Sequence, residues 1–300
     1  MKAVILGFLI PALFIVAFPN ISRAQNTPAS GGTNAAQVSN LKSNAQDDEG
    51  SKPFKPHWSF MIGLNSSGTP GDKGGGQNAN DLSFTVTRDL SESGDFISLG
   101  LMGGQQKVEG SQAKYGSLMM DGGVALGIFS PSLSLTVQTG ESSFSTSGGL
   151  NLGFQFFNDI SLGLNFTGGI SSRQAPSLQL DSRNFGGGLS VIWATSDIFS
   201  LSLSGQTSAE IASQLKIKLP NQTITLPLNN QNPVVIPSSS IGFNWAFIKD
   251  FSLSGSFQRS MEIQPTGPSY SPSLGEAINN TEPTILYFTG YTVGLTFSFQ

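Results

Sequence analysis

Residues 285–299 constrain this chain more than any other stretch. The odd positions are Ile285, Tyr287, Thr289, Tyr291, Val293, Leu295, Phe297 and Phe299, and the even ones Leu286, Phe288, Gly290, Thr292, Gly294, Thr296 and Ser298. One face is apolar and aromatic; the other, beyond Phe288, is small and polar. A two-residue period belongs to a β-strand, because successive side chains point to opposite faces of a sheet. Length sharpens the constraint. Globular strands average about five or six residues and about 9–11 tilted residues cross a bilayer, whereas this alternation runs through roughly fourteen.

The same period recurs from His57 onward. Trp58, Phe60, Ile62 and Leu64 alternate with Ser59, Met61 and Gly63; Leu150, Leu152, Phe154 and Phe156 with Asn151, Gly153 and Gln155; Ile241, Phe243, Trp245 and Phe247 with Gly242, Asn244 and Ala246. Counting a fourth segment through Leu118, Met120, Val124, Leu126 and Ile128, and the terminal one, the pattern predicts about twelve strands. No stretch after residue 24 holds 18 consecutive apolar residues, so spanning helices are excluded.

The connections fall into two kinds. Residues 89–94, 130–132, 158–159, 195–197 and 249–250 read as hairpin turns by residue type and length. The alternate connections, about 65–80, 103–115, 138–146, 172–182, 211–237 and 261–283, read as long loops. Short turns on one side and long loops on the other is the build of a transmembrane β-barrel, and an even strand number leaves both termini on the short side. Within the fifth long connection, Leu215 to Leu226 alternates on both sides of Pro220-Asn221, which suggests a hairpin extending the wall beyond the membrane.

Thr292, Gly294, Phe297 and Phe299 resemble the C-terminal signal of bacterial outer-membrane β-barrel proteins: a polar residue, a glycine two on, then two alternating aromatics. The resemblance implies a strand recognised by the outer-membrane barrel assembly machinery and closed against the first strand. The fold class expected is all-β: an antiparallel up-and-down transmembrane barrel over residues 57–300, in contact with outer-membrane lipid.

A soluble β-sandwich or solenoid would also alternate, but its outer face would carry charge. Here only 11% of residues are charged, against about 25% in ordinary soluble domains. The polar face is Ser, Thr, Gly, Asn and Gln, which fits a lumen. Trp58, Trp193, Trp245 and Tyr287, near strand ends, read as aromatic girdles. Asp121, Asn151, Gln155, Asn165, Gln206, Asn244 and Gln258 have the inward phase and are the candidate lumen-lining residues. For Asp121 two readings stand: an isolated acid in a wet lumen, or a site for a cation or hydroxyl-bearing solute formed with Gln155 or Asn165.

Residues 1–24 read as a signal peptide, with Lys2 before an apolar core and Ser22-Arg23-Ala24 as a small-x-small cleavage site; an uncleaved membrane anchor is the competing reading. Residues 25–56 are too poor in apolar side chains to offset their ordering entropy and read as a disordered periplasmic tail, or a plug. There is no cysteine, which excludes disulfides and thiolate metal sites.

Other chemistry finds little support. The runs Gly71–Gly76 and Gly186–Gly188 do not open a helix after a strand, so they do not cradle phosphate. The single histidine, His57, stands at the entrance of the first strand, away from any outer-rim hydrolytic site. A net charge of −4 without a basic patch opposes nucleic-acid binding. Neither a cofactor nor an enzymatic activity is expected. Two functions remain: a porin-like pore passing small polar solutes through a weakly charged lumen, and a structural or adhesin-like barrel whose bore is blocked and whose long loops make the contacts.

Overall fold

A computed structural model describes residues 56–299 apart from 69–77, 92, 109–110, 142, 158, 176–177, 220–221, 229–231, 249 and 272–275. The expected signal peptide (1–24), all of the expected tail except Pro56, and the run Gly71–Gly76 lie outside the described residues.

The described strands are β1 (Trp58–Gly68), β2 (Asn78–Asp89), β3 (Phe96–Val108), β4 (Ser111–Gly123), β5 (Phe129–Gly140), β6 (Ser143–Phe157), β7 (Ile160–Ala175), β8 (Leu178–Ser196), β9 (Phe199–Leu219), β10 (Gln222–Pro227), β11 (Val234–Ile248), β12 (Phe251–Gln264), β13 (Gly267–Ser271), β14 (Glu276–Asn280) and β15 (Thr284–Phe299). All but β10, β13 and β14 form one antiparallel ring, each strand paired with its neighbours and β15 returning to β1. The closing seam pairs Trp58 with Phe299, Gly63 with Gly294 and Asn65 with Thr292. Twelve strands thus close without an edge, which satisfies every ladder group inside a bilayer.

The outer face is suited to lipid. Leu64, Leu133 and Phe185 are 63%, 65% and 57% exposed, and such residues surround the barrel. In water a patch of this extent would drive aggregation. Trp58, Trp193 and Trp245 stand at the end carrying the termini, called here the lower rim, while Tyr287 lies on the other side of the apolar band. The candidate girdle residues therefore stand near strand ends at both rims. An arginine meets each: Arg88 lies 5.1 Å from the Trp58 ring centroid and Arg259 5.6 Å from that of Tyr287.

Two expectations are corrected. Ser130-Pro131-Ser132 is not a turn. These residues lie inside β5, and the chain reverses over 124–128 instead, with Gly127 at φ 66° and the Leu126 amide donating to the Phe129 carbonyl at 2.7 Å. Val124, Leu126 and Ile128, which the alternation placed on the fourth strand, are exposed turn residues. Proline is tolerated at 131 because its nitrogen faces the side where β4 has ended; its carbonyl, on the same side, accepts from the Val124 amide at 3.1 Å.

The second correction concerns the long connections. Residues 103–108 and 111–115, 138–140 and 143–146, and 172–175 and 178–182 continue their strands into hairpins. The segment 211–237 contains the top of β9 paired with β10, the wall-extending hairpin that the alternation from Leu215 to Leu226 suggested, and 261–283 contains the β13–β14 hairpin. Above the lipid both faces of a ladder meet polar surroundings, so the alternation that marks a strand fades while the backbone pairing goes on. Consequently the wall is uneven: β9 has 21 residues and β1 has 11.

Candidate functional site

The inner face of the ring is built by register. Asn151 on β6 pairs across with Ser132 on one side and Asn165 on the other; Asn165 is opposite Gly188, Gly188 opposite Gln206, and Gln206 opposite Ser238. One rung away, Ser204 and Ser240 are hydrogen-bonded at 2.7 Å, and Gln258 is the next partner of Ser240. The row is packed tightly at its centre. A Cβ on Gly188 would lie 2.6 Å from both the Gln206 Cβ and the Gly205 carbonyl, so only glycine lets Gln206 rest against β8.

These residues surround a cavity of about 90 Å³ whose lining runs round the inner wall from β5 to β12 and includes Asn151, Asn165, Thr167, Gln206 and Gln258. Asn151 donates from Nδ2 to Ser132 Oγ at 3.4 Å, while its buried Oδ1 accepts from no described protein group. The wall therefore offers hydrogen-bonding atoms without a fixed charge. That is chemistry for passing or weakly holding neutral polar molecules, not for selecting ions by sign.

The other sequence candidates do not join this group. Asp121 faces inward between Ser98 and Ser134, outside the cavity lining. It is three strands from Asn165, about 14 Å at roughly 4.8 Å per strand, and is not brought to Gln155 either. Gln155 belongs to a second cavity of about 80 Å³ at the lower mouth, with Phe96, Ser130, Ser161, Ser190 and Ile192. Asn244 sits low on β11 between Ser200 and Ser254. The inward phase also carries Met61 and Met119, joined on one row by Thr85 and Gly100.

Above this bore the wall changes character at one residue. Asp181 on β8 pairs with Gln214 on β9, yet its neighbour Ser182 pairs with Ala212, so Ser213 is an extra residue on β9. Such a bulge reverses the alternation beyond it. Below it the even residues of β9 face inward: Ser182 donates to Glu210 Oε1 at 2.6 Å on the same face as Ser171. Above it Lys216 turns outward and pairs with Asp181 at 2.6 Å, and Lys218 reaches Gln174. Leu215 and Ile217 are left inward, opposite Leu226 and Ile224 of β10 and opposite Leu180 and Leu178 of β8.

The β13–β14 hairpin bends over the neighbouring part of the same mouth. The Asn280 side chain donates to Gln264 at 3.2 Å, and Asn232 donates to the Pro268 and Thr266 carbonyls. Beneath it the inward-facing Val234, Glu262 and Gln264 are 0%, 1% and 2% exposed. Sequence reasoning anticipated the β9–β10 hairpin from Ile224 and Leu226 alternating with Thr223 and Thr225, but read the residues of β13 and β14 as loop.

The ring, the lipid-facing belt and the polar lumen define a porin-like outer-membrane β-barrel. Among solved structures the chain is similar to an outer-membrane channel from Pseudomonas putida F1, at 8% identity over 85% of this chain and 99% of that one, with a TM-score of 0.50. It is also similar to the KdgM porin (9% identity, 81% and 99% covered, TM-score 0.44) and the NanC porin (8%, 80% and 98%, 0.45). At such identities the likeness is one of fold. No protein-family model and no curated protein matches the chain.

Proposed function

We propose that the protein is an outer-membrane pore for passive or facilitated diffusion of small polar solutes. The observation that carries this reading is the uncharged lining of the cavity between β5 and β12, which Asn151, Asn165, Gln206 and Gln258 surround. Twelve strands lie between eight, which side chains fill, and 16–18, which hold an aqueous channel, so small inward residues decide whether a path stays open. In this reading the lower rim is periplasmic, residues 1–24 direct export and are removed, residues 25–56 hang in the periplasm, and Thr292, Gly294, Phe297 and Phe299 engage the assembly machinery.

A structural or adhesin-like role is the second reading. It rests on the β13–β14 hairpin, which buries Glu262 and Gln264 at the upper mouth. Single-channel recording on the refolded protein separates the two. Steady ohmic steps with little preference between cation and anion are expected for the pore. Silence from a barrel shown to be folded by heat-modifiable migration would move the assignment to the second reading.

A further inference from the structure

We infer that the inner face of the tall β8–β10 wall is a binding vestibule for solutes that join an aromatic or branched apolar group to a hydroxyl-bearing body. The inference rests on the pore reading and names the class of solute the pore admits.

Leu180, Leu215, Ile217, Ile224 and Leu226 share one face of this wall by register. Lipid does not cover that face, because the opposite face of the same strands carries Asp181, Lys216 and Lys218. Nor does the neighbouring hairpin cover all of it. Val234 on β11, which β13 contacts, is 0% exposed, whereas Ile224 and Leu226 are 39% and 43% exposed. An apolar face turned inward, above the membrane and left open beside a polar bore, suits a solute with an apolar part.

The polar part has partners on the same face. Glu210 and Ser182 are hydrogen-bonded one step below the bulge, and Arg173 is the inward register partner of Leu180. The inner wall then runs down through Thr167 and Gln206 to the uncharged cavity. A purely hydrocarbon solute would leave the Asn151, Asn165, Gln206 and Gln258 side chains of that cavity unpaired. A sugar alone would gain nothing from the leucines. A solute with both kinds of surface finds each in turn along one wall.

The probes are phenyl β-glucoside and sucrose, neither of which crosses lipid readily. Calorimetry with the folded full-length protein in detergent measures binding, and proteoliposome swelling measures passage. Phenyl β-glucoside is expected to bind, and the double variant Leu215→Asn/Leu226→Asn to weaken it by about five-fold or more, the scale of a lost apolar contact. The swelling ratio of phenyl glucoside to sucrose should fall in the same variant. Lys216→Gln with Thr225→Ser, on the outer face of the same hairpin, should leave both unchanged. Should the double variant fail to fold, Ile224→Thr serves in its place. No detectable binding, or equal binding in inner-face and outer-face variants, would overturn the vestibule. Binding without swelling of either probe would leave the vestibule standing and overturn the pore.

Discussion

Two lengths of one wall, β8 and β9 below Ser213 and the same strands above it, carry opposite polarity. Below, Phe185, Leu189 and Trp193 face out while Ser182, Ser190 and Gln206 face in; above, Asp181, Lys216 and Lys218 face out while Leu180, Leu215 and Ile217 face in. The backbone is the same ladder throughout. What differs is the solvent on the outer side, lipid below and water above; β9 meets both by inserting one residue, and β8 by changing residue types on an unbroken alternation. Fold stability and solute chemistry are therefore written on opposite faces, which exchange places at the bulge.

The largest expected break comes from charge in the lower half. Leu189→Arg, in the middle of the lipid-facing band, should cost about 2–4 kcal/mol of folding free energy in vesicles, while Thr225→Arg on the upper outer face should stay within about 0.5 kcal/mol. Denaturant titration of both variants measures the contrast. Equal costs would mean that the upper wall also sits in lipid.

Next comes the tight inner row. Gly188→Val would drive side-chain atoms into Gln206 and the Gly205 carbonyl, with an expected cost of about 1–3 kcal/mol and a lower unitary conductance. Gly127→Ala, whose Cβ meets nothing within 4 Å, should cost only its φ of 66°, about 1 kcal/mol, and leave conductance alone.

Deleting Ser213 should spare the barrel and reverse the faces of the upper β9–β10 hairpin. In a Lys216→Cys background the thiol is expected to react quickly with a membrane-impermeant maleimide, and severalfold more slowly once Ser213 is removed. Unchanged labelling would show that another residue bulges in its place and that the inward leucines do not depend on Ser213. The smallest effect belongs to Lys216→Ala: an ion pair at 30% and 23% side-chain exposure should contribute under about 1 kcal/mol, and less at high salt.

Much of the barrel was legible from local pattern. Wherever one face meets lipid and the other a lumen, as in residues 150–156 or 241–247, the polarity contrast between adjacent residues is large, and period two announces the strand. Above the lipid that contrast drops, so residues 103–108 and 172–175 looked like loop although their pairing continues. The fourth segment failed for a different reason. Val124, Leu126 and Ile128 keep the apolar period through a turn, and only Gly127 hints at a reversal.

The sequence by itself determined the class, a count of about twelve wall strands and which side chains face inward in the lipid zone, because those follow from alternation and residue type. Only the tertiary structure decided which inward residues meet. Asn151, Asn165, Gln206 and Gln258 come together and Asp121 does not, since neighbours across a sheet are set by register between strands far apart in sequence. It also decided the upper wall's orientation. Whether Leu215 faces lipid, water or lumen turns on a single unpaired residue, and an odd count of one is visible only when the partner strand is laid beside it.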